Sequence, residues 1–241
     1  MGLNKQKGNM YKHVTHTWNP LGGKCPHGCS YCSTNKMMYR PVIKEKYSGP
    51  VRLVEKELKT NLGKGNTIFV CGQHDLFAEG INPKWVIKIL DHCSKYENIY
   101  YLQTKNPAGF SLYGANIAAL HDFILCVTIE TNRHYRSMGL SPPTIERSFD
   151  FAAIPWENKH VTIEPVMDFD VLELVGLIHR IKPIQVNIGA DSGGNNLPEP
   201  DHEKLSQLVS ILEKLTKVHL KSNIKRIMNE LGVEFNLTRK D

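Results

Sequence analysis

Segments with strand character and segments with helix character alternate along almost the whole chain. Strands are expected at Lys12–Asn19, Thr67–Gln73, Asn98–Lys105, Phe123–Glu130, His160–Pro165, Pro183–Ala190 and Val218–Asn223. Helices are expected at Pro50–Leu62, Pro83–Lys95, Ser111–His121, Thr144–Ala153, Asp170–Ile181, His202–Lys217 and Ile224–Leu231. Such alternation demands a parallel sheet with right-handed helical crossovers, an α/β architecture. Six or seven strands is fewer than the eight of a full barrel. No internal repeat, low-complexity stretch or linker interrupts the pattern, so one domain over residues 1–241 is expected.

A strand buried on both faces reads as a continuous apolar run. These strands are apolar on one parity only. Ile68 and Val70, Tyr100 and Leu102, Leu125, Val127 and Ile129, Val161 and Ile163, Val186 and Ile188 suit a helix-covered face. The other parity carries Cys71 and Gln73, Gln103 and Lys105, Cys126, Thr128 and Glu130, Thr162 and Glu164, Asn187, His219 and Lys221. In a barrel these polar side chains share one lumen, gathered toward the carboxyl ends of the strands, where barrel active sites lie.

The loop after the first strand reads Cys25-Pro-His-Gly-Cys29-Ser-Tyr-Cys32, a C-x3-C-x2-C spacing. Three thiolates in eight residues cannot all pair as disulfides, but they can face one metal centre. A structural zinc ion wants four protein ligands. The fourth would be His27, cramped between two of the cysteines, or His16. A [4Fe–4S] cluster has four iron corners; filling three leaves one iron open to a small molecule. Gly22, Gly23 and Gly28 let the backbone wrap closely around such a centre. The spacing, with Tyr31 just before the last cysteine, resembles the signature of the radical S-adenosylmethionine (SAM) superfamily.

Further strings extend the likeness: Thr17-Trp-Asn-Pro20, Asp75-Leu-Phe77, Gln103-Thr-Lys-Asn-Pro107, Ile163-Glu-Pro165, Gly189-Ala-Asp-Ser-Gly193 and Lys221. Together they resemble a family of small, phage- and prokaryote-associated radical-SAM-like proteins of unassigned role. The match runs from about Tyr11 to Asn223, which leaves residues 224–241 as a C-terminal helix and tail. The cysteine loop is shorter than is usual there, and Cys71-Gly-Gln-His74 stands where members read more like Asn-Ser-Met-Ser.

The resemblance implies an incomplete (β/α)6-type, TIM-like barrel of parallel strands, with a polar lumen and the cluster on the loop after the first strand. It implies Cys25, Cys29 and Cys32 as ligands of a [4Fe–4S] cluster and SAM as the second cofactor. Tyr31 would pack near the adenine. Gly72, Gln73 and His74 would take the place where the SAM amino group is bound. Lys105 suits the SAM carboxylate as a point charge, or else forms a salt bridge to Glu130 or Glu164. Thr128 and Glu130 would accept from the ribose hydroxyls. Asn187 and Gly189 join this cofactor set, the latter opening a glycine-rich loop whose backbone N–H groups can cradle methionine or a phosphate. Asp75, Glu164 and Lys221 are left for the substrate, although a Glu164–Lys221 pair satisfies both groups with no catalytic role. Cys71 can return a hydrogen atom to a substrate radical, or be a small buried apolar residue. An electron donor such as flavodoxin or ferredoxin is implied as a partner.

Composition narrows the partners. The net charge of +6 permits a nucleotide or nucleic-acid substrate without demanding one. Residues 33–48 mix Lys36, Arg40, Lys44 and Lys46 with Met37, Met38, Tyr39 and Tyr47, a combination that suits either nucleic acid or plain solvation. No apolar run spans a bilayer and no signal peptide is visible. Three clustered and three apolar-flanked cysteines fit a reducing cytoplasm. Two other readings stay open: a zinc-stabilised, non-catalytic nucleic-acid-binding protein, and a hydrolase using Asp75, Glu130 and Glu164.

Overall fold

The computed structural model describes residues 2–6 and 10–228. Its elements begin with β1 (Asn4–Lys5), β2 (His16–Trp18), β3 (Leu21–Gly22), α1 (Ser33–Lys36), α2 (Pro41–Tyr47) and β4 (Arg52–Leu53). Then come β5 (Thr67–Val70), α3 (Pro83–Cys93), β6 (Ile99–Thr104), α4 (Ala108–Leu112), α5 (Gly114–Ala118), β7 (Asp122–Thr128) and α6 (Thr144–Ala152). The chain continues through β8 (Lys159–Ile163), α7 (Val171–Ile181), β9 (Gln185–Ile188), α8 (His202–Leu212), β10 (Lys217–Leu220) and α9 (Lys225–Met228). The rest of the expected Ile224–Leu231 helix and the tail lie outside the described residues.

Eight strands form one sheet in the order β1-β2-β5-β6-β7-β8-β9-β10. The run from β2 to β10 is parallel throughout, and β1 adds antiparallel to β2. Among the described residues no pairing joins β1 or β2 to β10, so the sheet does not close by hydrogen bonds. The parallel α/β order is as expected from the alternation; closure into a barrel is not detected.

The helices form for local reasons. Asn82 caps α3 by accepting from Lys84 N–H at 3.0 Å, with Pro83 in its first turn. Asp201 caps α8 in the same way. Each long helix buries one stripe: Val86, Ile89, Leu90 and Cys93 of α3, Leu174, Leu177, Ile178 and Ile181 of α7, and Leu205, Leu208, Val209 and Leu212 of α8. These stripes pack with Ile68, Val70, Tyr100, Leu102, Leu125, Val127, Val161, Ile163, Val186 and Ile188 in the main core, as the parity predicts.

Two helices depart from expectation. Pro50–Leu62 is not helical: it forms β4, antiparallel to β3, and then a 3-10 turn over Glu55–Lys59. The buried Lys46 ammonium binds Asn19 O and, at 3.2 Å, Glu57, which ties the 3-10 turn of this segment to the end of β2. Gly23 permits the approach, since a Cβ there would lie 2.0 Å from Pro50 O. Ser111–His121 is instead two short helices, α4 and α5, that meet at Tyr113. Gly109 sits so close to Phe77 that a Cβ would lie 2.7 Å from the Phe77 Cβ, so α4 is anchored two residues after Pro107.

The opposite face of the sheet is less polar than expected. Tyr11, Val14, Phe69, Tyr101 and Cys126 make a second, smaller apolar cluster, with Met10 and Ile124 against it. Residues 10–14, just ahead of β2, supply part of this plug. The polar side chains that line the cavity come from the carboxyl ends of the strands and the segments that follow them. His13 and His160 flank Tyr101, with ring centroids 5.3 and 5.7 Å from its own. Burial, with His13 and Lys217 nearby, pushes His160 down to about 4. A histidine held below its unfolded pKa of roughly 6.5 stabilises the fold above that pH and loses this contribution as pH falls toward 4, up to about 3 kcal/mol. His160→Asn is therefore expected to lose less stability between pH 7 and pH 4.5 than the wild type, by about 2 kcal/mol. Denaturant midpoints at the two pH values measure this; parallel losses would contradict it.

Candidate active site

A cavity of ≈ 500 Å³ opens at the carboxyl ends of the parallel strands. That is within the roughly 300–1,000 Å³ of small-molecule sites. Cys25, Cys29 and Cys32 all line it, together with Tyr31, Gly72, Gln73, His74, Asp75, Gln103, Lys105, Thr128 and Glu164. The three thiols are free, Cys29 buried and the other two half-buried.

The cysteine loop is held at two points. His27 Nε2 lies 2.7 Å from Asp75 Oδ2, both side chains buried. Asp75 also accepts from Phe77 N–H (2.9 Å), Thr104 Oγ1 (2.8 Å) and Lys105 N–H (2.8 Å). Burial pushes the Asp75 carboxyl up, but the hydrogen bond and charge of His27, with Lys105 N–H and Thr104, outweigh it and hold the group below the usual carboxylate range. On the other flank, Leu140 N–H donates to His27 O at 2.7 Å, Ser30 N–H to Ser137 O at 2.9 Å and the Cys29 thiol to Met138 O at 3.2 Å. Gly139 is indispensable to that contact: its φ is +66° and a Cβ would lie 2.1 Å from His27 O.

A second node joins the loop to the sheet. Tyr31 OH and Lys105 Nζ both bind Glu130 Oε1, and Lys105 Nζ donates to Tyr31 OH at 2.6 Å. Lys105 Nζ also lies 4.5 Å from the Tyr31 ring centroid. The fully buried Arg147 of α6 takes Glu130 Oε2 at 2.7 Å and binds Thr128 O, Pro142 O and Ser141 Oγ. Burial raises the Glu130 pKa, yet the charges of Arg147 and Lys105 overcome it, and the carboxyl lies far below its ordinary range. Burial and the Glu130 charge push the Tyr31 hydroxyl well up, so it stays a donor. Of the pairings open to Lys105, the structure shows the one with Glu130.

Glu164 pairs with Lys221 at 2.7 Å. Gly189 makes room for it, since a Cβ there would meet the Glu164 carboxyl carbon at 2.8 Å. Lys221 also lies over the Tyr11 ring, whose OH donates to Gln103, and Gln103 donates in turn to Thr128.

Of the site residues read from sequence, twelve line the cavity, but Glu130, Asn187, Gly189 and Lys221 do not. Glu130 reaches it only through Tyr31 and Lys105. Asn187 is fully buried below, accepting from Gln185 at 2.8 Å. Cys71 departs from the expected parity. β5 ends at Val70, Cys71 takes φ +59°, and the thiol joins the helix-side core while still bordering the cavity. Burial pushes that thiol well up. Arg147 was missed, although its place on α6 beside Ser148 and Phe151 follows the helix's buried stripe. Thr34, Asn35 and Met38 also line the cavity, and nothing in the local pattern of residues 33–48 singles them out.

The donor chemistry bears on which metal centre the loop could hold. Tetrahedral zinc draws its ligands to within ~2.0–2.3 Å of one ion. Among the described residues no group of three His, Cys, Asp or Glu side chains is placed to hold a metal ion, Cys25, Cys29 and Cys32 included. His27 is engaged by Asp75, and His16 shares the helix-face parity of Trp18 on β2 and contacts Thr15 at 2.9 Å. Three thiols around a roomy cavity fit a cluster, in which each thiolate serves a different iron. His74 adds a polar wall group: its buried Nε2 has no protein partner, and burial lowers its pKa so that it stays neutral.

Fold and site together define an α/β protein with a parallel sheet and a three-cysteine loop over the strand ends. The chain belongs to the family described as "Protein of unknown function (DUF5131)", whose family model matches residues 9–201. No curated protein matches the sequence. Among solved structures it is similar to a variant of spore photoproduct lyase with bound AdoMet and dinucleoside spore photoproduct. That match has a TM-score of 0.56 at 8% identity, over 91% of this chain and 80% of that one. A second variant of the same lyase gives 0.54 at 9% identity, with the same coverage. These likenesses establish a shared α/β fold. No helix of the described residues is long and apolar enough to cross a membrane.

Proposed function

We propose that the protein is a radical SAM enzyme. The observation that carries this reading is that Cys25, Cys29 and Cys32 share one cavity wall with Tyr31, Gln73, His74, Lys105 and Thr128. The fold likeness to spore photoproduct lyase, itself a radical SAM enzyme, supports it. Cys25, Cys29 and Cys32 would hold a [4Fe–4S] cluster. When bound, that group supplies the electron that cleaves SAM to methionine and a 5′-deoxyadenosyl radical, which takes a hydrogen atom from the substrate.

The chain's own residues bind and orient. Tyr31 offers an aromatic face, and Gln103 and Thr128 offer hydrogen-bonding groups to a nucleoside. The neutral His74 and the Gly72–His74 backbone face the amino-acid end. Lys105 is already neutralised by Glu130, so a SAM carboxylate would have to share it or displace that contact. Glu164, paired with Lys221, and Asp191 also line the cavity and are left for the substrate. Asp75 has both oxygens engaged and acts as a positioning residue for the loop.

Anaerobic reconstitution with iron and sulfide tests the ligand set. The wild type is expected to take up about four irons per chain, and Cys25→Ser, Cys29→Ser and Cys32→Ser each to lose the charge-transfer absorption of the cluster. Retention of a single zinc by the wild type, lost on the same substitutions, would reverse the assignment.

A further inference from the structure

We propose that the excursion spanning residues 33–48 docks a single strand of nucleic acid across the cavity mouth. This deepens the proposed function and rests on it for the chemistry that follows docking. Lys36, Tyr39, Arg40 and Lys44 are all exposed, and Tyr39 is 83% exposed. Among the described residues, no ion pair or side-chain hydrogen bond engages any of the four. Glu45 is the sole acidic residue between 33 and 48. Lys24, also exposed, lines the cavity on the cysteine-loop side.

The excursion is anchored, which distinguishes it from a solvated loop. Arg52 donates to Ser48 O at 2.9 Å, Lys46 O at 3.0 Å and Glu45 O at 3.1 Å. Tyr47 and Lys46 are buried beneath. Thr34 fixes the near end through Gln73 at 2.9 Å. Exposed Tyr39 and Val42 therefore stand on a fixed base, around a shallow hollow lined by residues 39–43. A large exposed aromatic in a basic surround is the arrangement that stacks a base while cations hold the phosphates.

Continuity with the cavity gives the strand a direction. Ser33, Thr34, Asn35 and Met38 line the cavity, so Lys36 and Tyr39 each follow a wall residue. The same cavity wall also carries Glu164 and Asp191, the latter held by Asn195 and by Gly193 N–H. The exposed Lys36, Arg40 and Lys44 set a phosphate backbone along the excursion, away from these carboxylates. A base between Tyr39 and the cavity must be unstacked, which selects a single strand or an extruded nucleotide over an intact duplex.

The test is fluorescence anisotropy of a labelled 12-nucleotide oligothymidylate with the full-length protein, from 50 to 200 mM salt. Three or four phosphate contacts give an expected slope of log K against log salt of about −2 to −3. Tyr39→Ala is expected to weaken binding by about 5- to 100-fold. The Lys36→Gln, Arg40→Gln, Lys44→Gln triple variant is expected to flatten the slope by about 2. Wild-type affinity in both variants, or equal affinity for a duplex of the same length, would overturn the proposal. Reductive SAM cleavage by the wild type is scored separately. Cleavage without oligonucleotide binding removes the docking site alone, and binding without cleavage removes the enzyme reading alone.

Discussion

Arg147→Met is expected to lower folding stability by about 3–5 kcal/mol near neutral pH, the usual cost of stranding a buried charge. Glu130 is fully buried, and Arg147 takes one of its oxygens at 2.7 Å. Methionine fills comparable space but leaves that oxygen uncompensated, with Lys105 and Tyr31 on the other. It also frees Thr128 O, Pro142 O and Ser141 Oγ from their donor. The pH dependence has a definite sign. Glu130 is depressed in the folded state, so its contribution is present above the unfolded carboxylate pKa of roughly 4.3 and is lost as pH falls below it. The variant has less of this contribution to lose. The gap between wild type and variant should therefore narrow from pH 7 to pH 3.5. Guanidinium unfolding at both pH values measures it. Equal midpoints at pH 7 would show that Glu130 does not depend on Arg147.

Asp75→Ala is expected to damage both stability and cluster loading. The substitution leaves His27 Nε2, Thr104 Oγ1 and the N–H groups of Phe77 and Lys105 without their shared acceptor, the first three buried and the last half-buried. Each unpaired group costs about 1–3 kcal/mol before relaxation or water entry; a total loss of about 3–5 kcal/mol is expected. His27 lies between Cys25 and Cys29, so releasing it frees the backbone that spaces two thiols. Iron uptake on reconstitution should fall several-fold, even at a temperature where circular dichroism shows the variant folded. Full iron uptake by a destabilised variant would confine Asp75 to the fold.

Much of this architecture is legible in the sequence because period and parity are local. Ile68, Val70, Leu125 and Val127 announce the helix-covered face, and Val86, Ile89, Leu90 and Cys93 announce a helix stripe. The cysteine spacing is legible for the same reason: its ligands are neighbours in the chain. What escapes is set by contacts across long sequence distances. The segment 50–62 has a helical pattern, but Lys46, Asn19 and Gly23 hold it as a strand and a turn. Phe69 and Tyr101 occupy the parity read as a polar lumen because Tyr11, ahead of the first parallel strand, folds over them. Cys71 changes side because one residue with positive φ ends the alternation. Arg147 looks like a surface cation on an amphipathic helix until Glu130, seventeen positions earlier, is found beneath it.

The most direct measurement is of products. The reconstituted protein is mixed anaerobically with SAM and dithionite, and the nucleoside fraction is separated. The expected result is 5′-deoxyadenosine and methionine, formed only with the iron-loaded protein and absent for Cys29→Ser. A protein carrying about four irons that leaves SAM intact under these conditions, or one that binds only zinc, would contradict the assignment.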